Sequence, residues 1–168
     1  FNLHADTFED IPSWAKYLQA VVMEMKSRGY EINGVNGVVN GDIPTGAGLS
    51  SSAALCAGFI FGIAHLNQLS ISRLEMALIA QATEHRVGLN CGLMDPYASL
   101  HGKAAHAILL DCQSNESTYF PLDLQHYSLV LIDSQVKHEL AADSGYNERR
   151  AACERVVTTI QQVHHQVN

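Results

Sequence analysis

Apolar positions recur along this chain at helical spacing, broken by short runs of branched residues. Asp10, Ile11 and Pro12 make a helix start, and Trp14, Leu18, Val21, Val22 and Met25 follow on one stripe until Gly29. That pattern predicts an amphipathic helix. Val35 to Ile43 is rich in Val and Gly and runs into Pro44-Thr45-Gly46, which predicts a strand feeding a tight loop. A second helix is expected from the serine cluster to about Leu66. Ser72 with Glu75 forms a capping box, Leu74, Leu78 and Ala82 supply an apolar face, and Gly88 stops the helix, so Glu84 falls on its last turn.

Ala105 to Asp111 and Tyr127 to Ser134 are short, apolar and branched enough to be central strands, with Thr118 to Leu122 a weaker third. A closing helix is expected from near Tyr146, with Ala152, Val156, Ile160 and Val163 at helical spacing. The elements interleave without a regular βαβ rhythm. The expected class is therefore α+β, a mixed sheet packed against helices, rather than a doubly wound sheet.

Composition supports one packed body. The 168 residues are 47% hydrophobic and 16% charged, which excludes a disordered chain and allows a single sizeable core. The chain opens on Phe1, and its last helical pattern is still running near Asn168, so residues 1–168 are expected to be one partial domain of a longer protein. A net charge of −7 argues against sequence-independent nucleic-acid binding, which needs clustered Lys and Arg. An acidic chain can still hold phosphate through backbone N–H groups and a metal ion.

Cys56, Cys91, Cys112 and Cys153 contain no CxxC pair, which excludes zinc-ribbon and thioredoxin readings and fits free thiols in a reducing, cytoplasmic setting. The apolar run from Ala53 to Leu66 is shorter than a membrane span and contains Gly58, Gly62 and His65, so it reads as a buried helix and no membrane partner is expected. The Asn115-Glu116-Ser117 sequon is read as chance.

Three segments carry candidate chemistry. The first is Pro44-Thr45-Gly46-Ala47-Gly48-Leu49-Ser50-Ser51-Ser52-Ala53-Ala54. Its glycines let the backbone turn sharply against a bulky ligand, and its serines open a helix whose first-turn N–H groups and macrodipole favour an anion. It ends in neither the GK[ST] of a Walker loop nor the spacing of GxGxxG. The plain alternative is a turn with a serine N-cap.

The second segment runs from Glu84 to Asp95 as a helix end, a glycine-bearing loop and a carboxylate. An Asp on a rigid loop can orient or deprotonate an attacking hydroxyl in phosphoryl transfer. Met94-Asp95-Pro96 also reads as a simple turn, and Glu84 as a solvated carboxylate. In the third segment, Tyr146, Arg149 and Arg150 read on spacing alone as a core aromatic beside a solvated basic face.

Taken together, these strings resemble the GHMP kinases, and within them the galactokinases. The loop from Pro44 to Ala54 resembles the family's phosphate motif. Cys91-Gly92-Leu93-Met94-Asp95, then Ser99, Gly102 and His106 to Cys112, resemble the galactokinase segment that follows it. Ser144-Gly145-Tyr146-Asn147-Glu148-Arg149-Arg150, with Cys153-Glu154, is similar to the galactokinase pattern S-x-Y-x-x-R-R-x-x-C-E.

The resemblance implies an ATP-dependent sugar kinase acting on the anomeric hydroxyl of galactose, with ATP and Mg²⁺. Its phosphate site would comprise Pro44, Gly46, Ala47, Gly48, Leu49, Ser50, Ser51 and Ser52. It implies Mg²⁺ ligation by Ser51, or the neighbouring serine, and by Glu84. It implies Asp95 as the catalytic base, and sugar contacts from Gly92, Asp95 and Tyr146. A kinase for N-acetylgalactosamine, arabinose or a uronic acid, or a non-catalytic sugar and ATP sensor, are the alternatives. The family's GRVNLIGEHTDY signature and its third glycine-rich motif do not occur here, so the isolated chain is expected to have little or no activity. Two departures stand out: Pro96 replaces the usual Gln, and the loop between Glu84 and Asp95 is one residue short.

Overall fold

The computed structural model describes residue 8, residues 11–132 and residues 144–163. The elements run α1 (Ser13–Ser27), α2 (Ser51–Leu66), α3 (Arg73–Arg86), α4 (Met94–His101), β1 (His106–Leu110), β2 (Ser117–Pro121) and α5 (Ser144–Val163). The α+β expectation holds, with the described sheet an antiparallel hairpin that pairs His106 with Pro121 and Leu110 with Ser117.

Helices α1, α2 and α3 pack on one another, and α4 lies against α2 and α3. Their shared core gathers Val21, Val22 and Met25 from α1, Cys56, Ile60 and Ile63 from α2, and Met76, Ile79 and Ala80 from α3. Ion pairs close the rim. Arg28 meets Glu75 at 2.6 Å, and Arg86 donates to Glu24 through Nε at 2.8 Å, so both tie α1 to α3.

On α1 the expected stripe is buried except at its first member, since Trp14 is 53% exposed. The capping box forms as expected in its first half, with Ser72 Oγ accepting from the Glu75 amide at 3.1 Å. The apolar face of α3 differs from the expected one. Met76, Ala77, Ile79, Ala80, Thr83 and Glu84 are buried, whereas Leu74, Leu78 and Ala82 are only partly so. The physical reason is that α3 has neighbours on more than one side, in α1, α2 and α4, so a single amphipathic stripe does not describe it.

The sequence pattern did not signal α4. It follows the loop through Leu93, which packs with Ala77 and Tyr97 in a second core cluster that Ile108 and Leu110 adjoin. Tyr97 and Ser117 hydroxyls lie 2.8 Å apart, and Tyr119 donates to the His101 carbonyl at 2.7 Å, fastening the hairpin to α4.

Two expected strands are not formed among the described residues. Residues 35–43 and 127–132 carry no strand assignment, and Val38 is 97% and Ile132 87% exposed. A strand exists only through pairing to a neighbour, and among the described residues none lies alongside these runs. Ser134 lies outside the described residues, as does the 133–140 stretch. The closing helix is present as α5, with its apolar stripe turned outward: Val156 is 58% and Val163 72% exposed.

Candidate active site

The approach to α2 is built from left-handed backbone. Gly46, Gly48 and Ser50 have φ of 72°, 73° and 54°. For the two glycines this costs little, whereas a non-glycine in that region costs about 1–2 kcal/mol. Ser50 is the N-cap residue of α2, yet its side chain makes no cap bond. The simple serine-cap alternative therefore fails. The amides at the start of α2 have no capping side chain, at the end of the helix that favours an anion. Pro44 and Leu49 are exposed along the loop, and Gly46, Ala47, Ser51 and Ser52 are partly buried.

Ser52 points inward. Its hydroxyl donates to Glu84 Oε1 at 2.6 Å, and the thiol of Cys91 donates to Glu84 Oε2 at 3.0 Å. Glu84 is only 2% exposed, so the alternative of a solvated helix-end carboxylate is excluded. Both carboxylate oxygens accept a hydrogen bond, which is what a buried carboxylate requires. Burial pushes the Cys56 thiol far above the usual thiol range, and the Glu84 charge adds to the shift. Cys91 is raised as far, first by burial, then by its bond to Glu84 and by the charges of Glu84 and Asp95. Tyr17, from α1, is raised by burial and by Glu84 and the two cysteines. One buried carboxylate on α3 thus acts on side chains from α1, α2 and the 88–93 loop.

That loop is held through its main chain. The Cys91 carbonyl accepts from Gln81 Nε2 at 3.3 Å and from Arg150 Nη1 at 3.1 Å, and lies 2.8 Å from His85 Nε2. Arg150 Nη1 also reaches the Asn90 carbonyl at 3.0 Å. The Asn147 side chain donates to the Gly88 carbonyl at 2.9 Å and accepts from the Asn90 amide at 3.0 Å. Leu89, Cys91 and Leu93 are buried, whereas Asn90, Gly92 and Met94 are exposed. Gly92 therefore shows its backbone to solvent.

Asp95 follows in the first turn of α4 and is partly buried. The departure at Pro96 has a local explanation. Pro96 lies in that same first turn, where backbone N–H groups lack helical acceptors, so its missing N–H forfeits no helical bond. Met-Asp-Pro is thus the opening of a helix, not a free turn.

Tyr146 is partly buried on the first turn of α5, beside the Asn147 that grips the loop. The structure joins Ser52, Glu84 and Cys91 directly, and Asp95 acts on Cys91 through its charge. It is Ser52, not Ser51, that touches Glu84. Sequence reading missed the roles of Cys91, Asn147 and Arg150. The available signal was the i, i+3 spacing of Asn147 and Arg150, which sets both on one helix face.

Mg²⁺ prefers hard oxygen donors and is usually held by one or two carboxylates together with nucleotide phosphates. The hydroxyls of Ser51 and Ser52 and the Glu84 carboxylate are oxygen donors of that kind, and Ser52 and Glu84 already meet at 2.6 Å. Among the described residues no group of three or more His, Cys, Asp or Glu converges as a metal cage.

The chain is similar to known proteins over most of its length. Residues 16–103 match the GHMP kinases N terminal domain. The chain is 40% identical over 160 residues to the galactokinase of Thermotoga petrophila, covering 95% of this chain and 45% of that protein. To the galactokinase of Thermosipho africanus it is 42% identical over 149 residues, covering 88% of this chain and 42% of the relative. The crystal structure of Lactococcus lactis galactokinase complexed with galactose superposes with a TM-score of 0.87 at 31% identity, over 96% of this chain and 42% of that one. The chain spans less than half the length of these relatives.

Proposed function

This chain belongs to the GHMP kinases, and we propose that it is the ATP- and sugar-holding part of a galactokinase, which carries the γ-phosphate of ATP to the anomeric hydroxyl of galactose. The observation that carries this reading is the run Ser52–Glu84–Cys91, because it couples the anion-suited start of α2 to the loop that leads into Asp95. Phosphoryl transfer asks little covalent chemistry of a protein. It asks for in-line positioning and neutralised charge.

In this reading the backbone from Pro44 through Ser52 cradles the phosphates. Gly92, through its exposed backbone, and Tyr146 hold the sugar. Asp95 orients the attacking hydroxyl and accepts its hydrogen as the oxygen bonds to phosphorus and ADP departs. Ser51 and Glu84 would hold Mg²⁺, which when bound neutralises charge on the transferring phosphoryl group.

The whole of residues 1–168 is read as one partial kinase domain. A cytoplasmic setting fits the free cysteines, and no helix among the described residues is long and apolar enough to cross a membrane.

The test is ADP release by the complete protein that carries this chain, with galactose, N-acetylgalactosamine, arabinose and galacturonate as acceptors. Galactose is expected to be the fastest acceptor, and Asp95→Asn is expected to abolish release while sparing ATP binding. Sugar and ATP binding without ADP release would replace the enzyme by a sensor.

A further inference from the structure

We propose that Asn147 and Arg150 are positioning residues, a clasp that fixes the 88–93 loop and thereby sets where Asp95 presents its carboxylate; the catalytic part of this inference rests on the kinase reading above. Their four bonds to the loop, at 2.9 to 3.1 Å, all go to main-chain groups of Gly88, Asn90 and Cys91. They span 57 to 60 residues of sequence. Little else in the described structure joins α5 to the helical body, because the helix is exposed from Cys153 onward. The attachment is thus polar and local, at the first turns of α5.

The loop is anchored at its ends by buried Leu89 and Leu93. Between them, the Cys91 carbonyl faces donors from both sides, Gln81 and His85 from α3 and Arg150 from α5. The Cys91 thiol meanwhile reaches Glu84. Pulling the carbonyl away would turn the thiol off Glu84 and shift the entry into α4, where Asp95 sits two residues beyond Leu93. Arg150 suits the task because Nη1 carries two hydrogens, one for each carbonyl, while Nε in the same rigid plane bonds Glu154 at 2.8 Å, a combination that a lysine ammonium does not reproduce. Its side chain is 40% exposed, so truncating it leaves no core cavity. Arg149, one residue earlier and also exposed, makes no side-chain hydrogen bond to the described residues and serves as the control.

The experiment has two arms. Hydrogen exchange on the complete protein reads the clasp without reference to any activity. Arg150→Ala and Asn147→Ala are expected to speed exchange of the amides at 89–93 at least about tenfold, with α2 amides unchanged and Arg149→Ala like the parent. In the complete protein, Arg150→Ala is expected to lower kcat by about 10- to 100-fold, with KM for ATP held within about twofold, because the nucleotide loop on α2 is untouched. Arg150→Lys is expected to recover only a small part of the loss.

Loop exchange unchanged in both alanine variants would overturn the clasp. A loosened loop with kcat within about twofold of the parent would overturn the positioning role. If the parent protein releases no ADP with any sugar, the kinase reading has failed and with it the catalytic half of this proposal, while the exchange arm still decides the clasp.

Discussion

Ser52 donates its hydroxyl hydrogen to Glu84 across 2.6 Å, which joins the first turn of α2 to the last turn of α3 at a point shielded from water. The other oxygen of the same carboxylate takes the Cys91 thiol at 3.0 Å, so one buried group meets both α2 and the loop that leads to α4.

Removing the donor should be costly where removing its neighbour is not. Ser52→Ala strips a buried carboxylate oxygen of its partner, a loss of about 1–3 kcal/mol, or about 2–12 °C in Tm for a chain of this size. Ser51, partly buried and without that bond, should tolerate alanine with little change in Tm. Thermal denaturation of both variants decides it, and equal melting of Ser52→Ala and the parent would remove the bond from the account.

The isolated 168-residue chain is expected to show little or no phosphoryl transfer from ATP to galactose, since it spans less than half of its relatives. A coupled ADP assay on the purified chain checks this. Ordinary turnover would mean that the residues described here suffice for the reaction.

Two glycines should respond differently to alanine. At Gly48 the backbone has a φ of +73°, so a side chain strains the loop, by about 1–2 kcal/mol, and KM for ATP should rise. At Gly92 an added methyl meets nothing within 4 Å, so Tm should hold. Yet that methyl would stand on the exposed backbone assigned to the sugar. KM for galactose in the complete protein should therefore rise, and an unchanged value would move the sugar elsewhere.

The cysteines should divide by burial. Cys112 and Cys153 are exposed, and Cys56 and Cys91 are buried with thiols held far above the usual range. At pH 8, iodoacetamide followed by peptide mass mapping is expected to label the first two readily and the second two only on unfolding. Linkage gives the sign for stability. An unfolded thiol ionises near pH 8.5 while the folded Cys56 and Cys91 stay protonated, so stability is present below about 8.5 and falls as pH rises past it. The urea midpoint should drop between about pH 8 and pH 10, and a midpoint that rises across that interval would contradict the burial seen here.

The helices were legible because their periodicity and punctuation are local. Ser72 caps α3 by accepting from the Glu75 amide, the first half of the box that the sequence pattern implies, and Gly88, with a φ of 99°, follows its end. The strands were less so. Val35 to Ile43 has the composition of a strand but finds no partner among the described residues, and pairing is not a local property. The face of α3 was misjudged because contact with several helices erases a single stripe.

At the site, the glycine and serine string announced a sharply turning loop, and Gly46, Gly48 and Ser50 do turn through left-handed backbone. What the sequence could not show was Glu84 as a buried hub. Its partners Ser52 and Cys91 lie 32 and 7 residues away, and burial emerges only from packing. Arg150 was equally hidden, because a basic residue at the surface looks the same in sequence whether its guanidinium faces water or two carbonyls.

The grip of α5 on the 88–93 loop is blind to side chains, since it holds only carbonyl and amide groups. Positions 90, 92 and 94 project outward while 89, 91 and 93 carry the packing. Selection, or a mutagenesis library, can therefore rewrite the outward positions without disturbing the scaffold beneath, and under the kinase reading proposed above that register is where a change of acceptor would be sought.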